Sequence, residues 1–266
     1  MNYYVVDVFT DQIFGGNPAG VCPLEFWLPD DVLQNIAMEN NLSETAFFVK
    51  CDGYYDLRWF TPTMEIDLCG HATMASAFVI FSELDISAEK LVFHSMSGEL
   101  IVTRGNDGLL WLDFPSRPGV AVTNYETLEK SLGIKCFKTY KSADILVVVE
   151  NENVVKGIDP NFDLLMKVKD EAEMSGDNFG VIITAPGSDC DFVSRFFAPN
   201  AGVSEDPVTG RAHCVLTPYW SERLGKKELT ARQISERGGQ IWCEDKGNRV
   251  KIGGKAKLYL KGEIFT

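Results

Sequence analysis

A repeated sequence pattern constrains the fold of this chain more than any other feature. Arg58-Trp-Phe-Thr-Pro62 is followed by Cys69-Gly70-His71 and a helical stretch, and Arg195-Phe-Phe-Ala-Pro199 is followed by Gly210-Arg211-Ala212 and a second helical stretch. The two arginines lie about half of the 266-residue chain apart. A chance match of common residues is the alternative. As a genuine duplication, the pattern predicts two similar domains, each with one strand–loop–helix element.

The distribution of helix and strand patterns predicts an α+β fold. Runs rich in β-branched and aromatic residues, such as YYVVDVF, TAFFVK, YDLRWF and ADILVVVE, predict strands in both halves. Fewer segments predict helices: residues 29–41 with Asp30 as N-cap, and residues 70–84, which are apolar on almost every side and so are expected to be buried. The Pro- and Gly-containing stretch 115–120 separates halves 1–116 and 117–266. Whether the last strand returns to the first half is left open.

Composition narrows the classes of partner. The formal net charge of −13 argues against nucleic acid or an anionic membrane as the main partner. The seven cysteines contain no CxxC pair and the three histidines lie far apart, so no metal site of the usual local spacing is predicted. No signal sequence and no apolar run of about 18 residues is found, which predicts a cytoplasmic protein with reduced thiols.

Two carboxylates are candidates for acid–base chemistry. Glu44 lies in NNLSETAFFV, between the first predicted helix and a strand, where apolar neighbours would make the carboxylate more basic, as a general acid–base group requires. A solvated loop glutamate or a helix cap is the alternative. Asp206 lies on the loop leading to Gly210 and either faces a substrate or forms a turn.

The candidate helix starts carry further polar groups. His71 is expected to be neutral because a helix N-terminus disfavours the imidazolium, and a purely structural histidine is the alternative. Cys69 is either an acid–base thiol or a small buried hydrophobe. Asn17, in the GGNPAG turn, could offer its amide to a ligand, although this turn has no nucleotide-binding pattern. His94 and His213 are interpreted as structural.

Four motifs in order resemble the PhzF-like family, the relatives of the phenazine biosynthesis isomerase. They are DVFTDQIFGGNPAGV, NNLSETAFFV, LRWFTP with IDLCGHATMASAF, and RFFAPNAGVSEDPVTGRAHC, and the resemblance covers nearly the whole chain. It implies the diaminopimelate epimerase fold: two pseudo-symmetric domains, each a curved, mostly antiparallel sheet wrapped around a central helix, with the active site in the cleft between them. It also implies a homodimer that uses no cofactor.

The resemblance assigns catalytic roles residue by residue. The family's catalytic glutamate falls on Glu44, its site histidine and the neighbouring glycine on His71 and Gly70, and its aspartate on Asp206. In the epimerase relatives two cysteines transfer the proton. Here the first is present as Cys69, and the region of Asp206 replaces the second, which disfavours a two-thiol epimerase.

One residue departs from the family pattern and affects the predicted substrate site. Arg211 stands where many relatives have serine, and its guanidinium could bind a substrate carboxylate through two hydrogen bonds. Asn17, Gly70 and Gly210 complete the predicted substrate-binding set. The sequence thus predicts an isomerase that moves a proton within a small carboxylate-bearing substrate. A racemase or epimerase using Cys69, or a non-catalytic metabolite-binding or interaction protein of the same fold, are the alternatives.

Overall fold

The computed structural model describes residues 1–135, 138–175 and 179–265. The chain forms two units, which are Met1–Asp113 together with the segment from Lys251 onward, and Phe114–Val250. Within the described ranges, no helix is both long and apolar enough to cross a lipid bilayer.

The first unit is built from a chain of paired strands. Its elements are β1 (Asn2–Val8), β2 (Asn17–Leu24), α1 (Asp30–Asn40), β3 (Thr45–Lys50), β4 (Tyr55–Phe60), β5 (Glu65–Ile66), α2 (Gly70–Val79) with a π-helical turn at Ile80–Leu84, β6 (Lys90–Ser95), β7 (Gly98–Arg104) and β8 (Leu110–Pro115). Pairing is antiparallel between β1 and β2, β3 and β4, β4 and β5, β6 and β7, and β7 and β8. It is parallel between β2 and β3 and between β4 and β6.

The second unit follows, and the chain then returns to the first. Its elements are β9 (Val120–Val122), α3 (Glu126–Leu132), β10 (Lys138–Lys141), β11 (Ile145–Val148), α4 (Glu152–Gly157), α5 (Phe162–Leu165), α6 (Val168–Glu171), β12 (Val181–Pro186), β13 (Phe192–Ala198), β14 (Val203–Asp206), α7 (Gly210–Leu224), β15 (Glu228–Gln233) and β16 (Gly239–Asp245). Strand β17 (Arg249–Gly254) begins in the second unit, and its residues from Lys251 onward belong to the first. Strand β18 (Ala256–Glu263) belongs to the first unit and pairs antiparallel with β1.

The two units repeat the same order of strand pairing. From β11 to β16 the pairs are parallel (β11–β12), antiparallel (β12–β13), antiparallel (β13–β14), parallel (β13–β15) and antiparallel (β15–β16). The strands from β2 to β7 pair in that order too, and each unit places a long helix after its short strand, α2 after β5 and α7 after β14. The predicted α+β fold with two similar, mostly antiparallel halves is confirmed, and the shared order favours duplication over chance.

Helix α2 is buried on nearly all sides, as its sequence predicts, whereas the π-helical turn that ends the predicted stretch 70–84 reaches the surface at Ser82 and Leu84. Ala72, Met74, Ala75, Ala77 and Val79 have no solvent exposure, although a straight helix turns them toward different directions. Burial of a side chain the size of valine or methionine contributes about 1.5–3 kcal/mol, so the surrounding sheet, rather than helix propensity, holds α2 in place.

Helix α1 differs in detail from the prediction. It begins at Asp30 itself, Pro29 occupies the N-cap position, and no side chain caps the helix. The Asp30 carboxylate instead accepts a hydrogen bond from Arg58 Nη1 at 2.9 Å. An acidic residue in the first turn still stabilises the helix, because it complements the positive end of the helix dipole.

Candidate active site

The start of helix α2 gathers side chains from three elements of the first unit. Asn17 begins β2, Glu44 immediately precedes β3, and Cys69 and His71 flank the first residue of α2, Gly70. The parallel pairing of β2 with β3 fixes the backbone of Glu44, whose carbonyl oxygen accepts a hydrogen bond from the Gly20 N–H at 3.1 Å. The predicted residues Asn17, Glu44, Gly70 and His71 therefore lie around one helix end.

A glycine turn delivers Asn17 to this place. Gly16 has φ of +64°, in the left-handed region, and a Cβ there would overlap the carbonyl oxygen of Val8. Only glycine fits this turn without a backbone shift. Asn17, the next residue, is fully buried, and its Nδ2 lies 3.5 Å from His71 Nδ1.

The carboxylate of Glu44 and the imidazole of His71 form the closest polar contact at the helix start. His71 Nε2 lies 3.2 Å from Glu44 Oε2, which is an ion-pair distance. The alignment of the two atoms does not make a hydrogen bond, and neither has another hydrogen-bond partner among the described residues, although both are buried. Within the described ranges, the two buried atoms thus face each other with no further hydrogen-bond partner.

The electrostatics of His71 differ from the expectation for a helix N-terminus. Burial lowers the pKa of His71, but Cys69 and the carboxylate of Glu44 raise it by a larger amount, so the net pKa is well above the ordinary histidine value. The expectation of a neutral imidazole was wrong, because Cys69 and the Glu44 carboxylate at 3.2 Å together outweigh burial and the partial charge of the helix end. Burial, followed by the Glu44 charge, raises the pKa of Cys69, whose Sγ lies 3.5 Å from His71 Nδ1.

The second unit holds Asp206 in a turn braced by two neighbours. Asp206 ends β14, and its Oδ2 accepts a short hydrogen bond from the hydroxyl of Thr209, the N-cap residue of α7. Gln233, which is 1% exposed, accepts from the Thr209 N–H at 2.9 Å and donates to the Asp206 carbonyl at 2.7 Å. Sequence reasoning missed both bracing residues.

Arg211 is engaged by a buried carboxylate of its own unit. Its Nη2 donates to Asp144 Oδ1 at 2.9 Å, and the same oxygen accepts from the Gly180 N–H at 2.8 Å. Asp144 has no solvent exposure. Burial raises the pKa of Asp144, and the Arg211 guanidinium partly offsets this. Arg211 thus supplies a positive charge beside a fully buried carboxylate of its own unit.

Matched contacts relate the two helix starts to each other. In the first unit, Arg58 donates two hydrogen bonds to the Glu65 carboxylate, from Nε and Nη2, each at 2.7 Å. In the second, Arg195 donates to Glu205 from the same two atoms, at 2.7 and 2.8 Å. Each glutamate precedes by five residues the glycine that begins the helix, Gly70 or Gly210.

This correspondence identifies the counterpart of Cys69. Thr73 Oγ1 donates to the Cys69 carbonyl at 2.6 Å, and the His213 ring contacts the Thr209 carbonyl through Nδ1 at 2.8 Å, so the two N-cap residues are equivalent. Thr209, hydrogen-bonded to Asp206, therefore occupies the position that corresponds to Cys69. Aligning the two repeats on their glycines would have indicated Thr209 from the sequence.

One set of side chains at α2 also has the composition of a metal site. Glu44, Cys69 and His71 each offer one ligand atom, and these atoms lie within 4.8 Å of one another. No other group of this kind is found in the part of the chain that the structure describes. The three residues are separated in sequence, and local spacing could not reveal them.

Comparisons with known proteins agree with the fold and with the site motifs. Residues 6–262 match the PhzC-PhzF family, described as phenazine biosynthesis-like protein. A Pseudomonas aeruginosa protein named "Uncharacterized isomerase" is 47% identical and the match covers 99% of this chain and 98% of that protein. The crystal structure of a PhzF family protein from Enterococcus faecalis has a TM-score of 0.93 at 48% identity, over 100% of this chain and 99% of that chain.

A more distant structure shares the fold alone. A probable proline racemase from Agrobacterium radiobacter superimposes with a TM-score of 0.64 at 9% identity, over 99% of this chain and 92% of that chain. The racemase-like architecture thus extends beyond recognisable sequence similarity. With the family match over nearly its whole length and a relative of 47% identity, the chain belongs to the PhzC-PhzF, phenazine biosynthesis-like family.

Proposed function

We propose that the protein is an isomerase that moves a proton within a small, carboxylate-bearing substrate, with Glu44 as the proton carrier. The observation that carries the proposal is the buried contact of 3.2 Å between Glu44 Oε2 and His71 Nε2, in which neither atom is hydrogen-bonded by the described residues. A carboxylate and an imidazole placed together without other partners can both act on one substrate.

The two side chains have different tasks in the proposed reaction. The Glu44 carboxylate removes a proton from a carbon of the substrate and returns it at another position. The raised pKa of His71 favours the imidazolium, which stabilises the negative charge that develops on a substrate oxygen when the proton leaves. Such preorganised stabilisation of charge is typically the largest contribution to the rate.

The remaining predicted residues bind and orient the substrate in this proposal. The Asn17 side-chain amide lies beside the His71 ring, with Nδ2 3.5 Å from Nδ1, and the N–H groups of the first turn of α2, beginning at Gly70, hold a substrate carboxylate. Asp206 acts as an orienting hydrogen-bond acceptor, and Gly210 and Arg211 begin the second anion-binding helix end. The absence of a cofactor, the homodimer and the cytoplasmic location stay predictions.

A second candidate is a racemase or epimerase that uses Cys69. The contact of 3.5 Å between Cys69 Sγ and His71 Nδ1 favours it, because an imidazole can accept the thiol proton. Burial and the Glu44 charge raise the pKa of Cys69, which makes the thiolate costly to form. Glu44 is therefore the preferred carrier.

The test is exchange of carbon-bound protons for deuterium, followed by NMR. The protein is incubated in D₂O with a panel of small cyclic and unsaturated amino and hydroxy acids. We expect deuterium to enter one or more of them with the wild type and not with Glu44→Gln. Glu39→Gln, which removes the charge of an exposed glutamate of the same unit, is the matched control and should exchange at the wild-type rate.

Other outcomes separate the alternatives. Exchange that persists in Glu44→Gln and disappears in Cys69→Ser would replace the proposal with the thiol mechanism. A panel member that raises the melting temperature of the wild type but never exchanges a proton would indicate the non-catalytic binder instead.

A further inference from the structure

The residues at the start of α2 provide three different metal-binding donors within a small space. Glu44 offers a carboxylate oxygen, Cys69 a sulfur and His71 a ring nitrogen, all within 4.8 Å of one another. Cys69 Sγ and His71 Nδ1 are 3.5 Å apart, and His71 Nε2 and Glu44 Oε2 are 3.2 Å apart. We call these three residues the α2 triad.

Each neighbouring pair of atoms in the α2 triad has the spacing of two ligands around a small tetrahedral ion. With bonds of about 2.3 Å to sulfur and about 2.0–2.2 Å to nitrogen and oxygen, two ligands of a tetrahedral zinc ion lie about 3.4–3.6 Å apart. The distances of 3.2 and 3.5 Å are close to this, but they involve the two different ring nitrogens of His71, and one ion binds only one of them. A side-chain rotation of Glu44 or Cys69 within the cluster of 4.8 Å brings the third ligand to the same nitrogen. Chemical softness points the same way, because thiolate and imidazole select Zn²⁺ over Mg²⁺ or Ca²⁺.

A second observation independently points to a ligand. His71 is 7% exposed, yet its Nε2 has no hydrogen-bond partner within the described chain, and the facing Glu44 Oε2 has none either. Buried polar atoms normally find a partner. A cation held between them would satisfy both at once.

We propose that the α2 triad is a binding site for a soft divalent cation, Zn²⁺ above all, and that the bound ion inhibits the enzyme. Binding exchanges the thiol proton of Cys69 for a zinc–sulfur bond and the proton on one ring nitrogen of the His71 imidazolium for a zinc–nitrogen bond, and both protons are released to solvent. Three protein ligands leave a fourth position open to water or to an anion. The binding stands on geometry alone, whereas the inhibition rests on the proposed function, because the ion would occupy the carboxylate that carries the proton.

Binding can be tested without any substrate by titrating chelator-treated protein with Co²⁺, a coloured substitute for Zn²⁺. We expect one equivalent to produce the near-ultraviolet charge-transfer band of a thiolate–cobalt bond and the visible bands of a four-coordinate ion, both removed by added Zn²⁺. Cys69→Ser abolishes the charge-transfer band. Glu44→Gln, at a less buried ligand, keeps the band and weakens Co²⁺ binding by at least about 100-fold, since even residues that only orient metal ligands contribute about 10–100-fold.

The matched control is Cys51→Ser. Cys51 is more accessible than Cys69 and has a carboxylate neighbour, with its Sγ 3.7 Å from Asp56 Oδ2, but it belongs to no three-ligand group among the described residues. Its variant should bind Co²⁺ like the wild type. A charge-transfer band that survives in Cys69→Ser, an affinity unchanged in Glu44→Gln, or no cobalt band at all in the wild type overturns the site.

The inhibition is tested separately. In the deuterium-exchange assay, Zn²⁺ at the concentration that saturates the cobalt site should stop exchange, and a chelator should restore it. Exchange that continues with the site occupied refutes the inhibition. A protein that binds Co²⁺ through Cys69 but exchanges no proton with any substrate refutes the proposed function and leaves the metal site standing.

Discussion

The ion pair between Arg211 and Asp144 offers the sharpest test of how this chain compensates a buried charge. The guanidinium of Arg211 is 28% exposed and pairs with Asp144, which is fully buried. Removing one partner of a buried ion pair costs about 3–5 kcal/mol, because the other charge stays behind without compensation. We expect Arg211→Gln to cost about 3 kcal/mol, at the lower end, because Arg117 also lowers the pKa of Asp144 and so replaces part of the lost attraction.

A double-mutant cycle isolates the pair. Asp144→Asn removes the charge but keeps an oxygen for the Gly180 N–H, and should cost about 1–2 kcal/mol. If the charge explains the effect, the double variant Arg211→Gln/Asp144→Asn should cost the same as Asp144→Asn alone, which gives a coupling of about 3 kcal/mol. Urea unfolding measures these free energies, and a loss of 3 kcal/mol corresponds to a lower melting temperature by about 6–12 °C.

The pH dependence supplies an independent check with a defined sign. Burial raises the pKa of Asp144 above its unfolded value, so the folded state binds the proton more tightly and gains stability relative to the unfolded state as pH falls through that window. Arg211→Gln should enlarge this effect, and its deficit relative to wild type should shrink in acid. A cost of less than about 1 kcal/mol with additive single variants would refute the reasoning and leave Arg211 available to a substrate.

Three further predictions concern the scaffold. Burial lowers the pKa of His213 from 6.5 to about 4, so the stability that this group contributes is present above about pH 6.5 and decreases by about 3 kcal/mol as the pH falls toward 4. In His213→Asn, which keeps a donor near the Nδ1 position, the free energy of unfolding should therefore fall less steeply between pH 6.5 and 4 than in the wild type. Gly16→Ala should lower the free energy of unfolding in urea by more than about 3 kcal/mol, and the control Gly53→Ala by about 1–2 kcal/mol. Gly53 also has a positive φ but has open space where a Cβ would lie, so equal costs would contradict the clash at Gly16. Gln233→Leu should cost about 2–3 kcal/mol because it removes the hydrogen bonds to Thr209 and Asp206 in the turn before α7. Gln240→Leu, at an exposed position of β16, should change stability by less than about 0.5 kcal/mol, and a similar loss in both variants would contradict the role of Gln233.

The sequence predicted what depends on periodicity and on repetition. The duplicated Arg–Pro and helix-start motifs indicated two similar halves, because both copies retain the arginine that pairs with a glutamate across a short hairpin. The apolar character of residues 70–84 on almost every side indicated the buried helix. The contact of Glu44 with His71 follows from which strands are neighbours, and no local pattern in NNLSETAFFV carries that information.

Side-chain partnerships between distant segments were beyond the sequence. Asp144 lies in a strand-forming run with nothing to mark it as the partner of Arg211, and Gln233 resembles any polar residue at the end of a strand. The charge state of His71 was wrongly expected for the same reason: the helix end is visible in sequence, whereas a carboxylate at 3.2 Å is a fact of tertiary structure.

The pairing of β1 with β18 has a consequence for how the chain acquires its fold during translation. Asn2 aligns with Glu263 and Val8 with Ala256. Of its two neighbouring strands, β2 and β18, β1 can therefore pair with β18 only after nearly the whole chain has been synthesised. The unit Phe114–Val250 is continuous in sequence and has no such dependence. Although N-terminal segments generally fold first, here the later-made unit can be complete before the earlier one. Until β18 emerges, β1 presents an open edge of unpaired N–H and C=O groups, and the ribosome-bound or C-terminally truncated chain is the form most exposed to edge-to-edge aggregation.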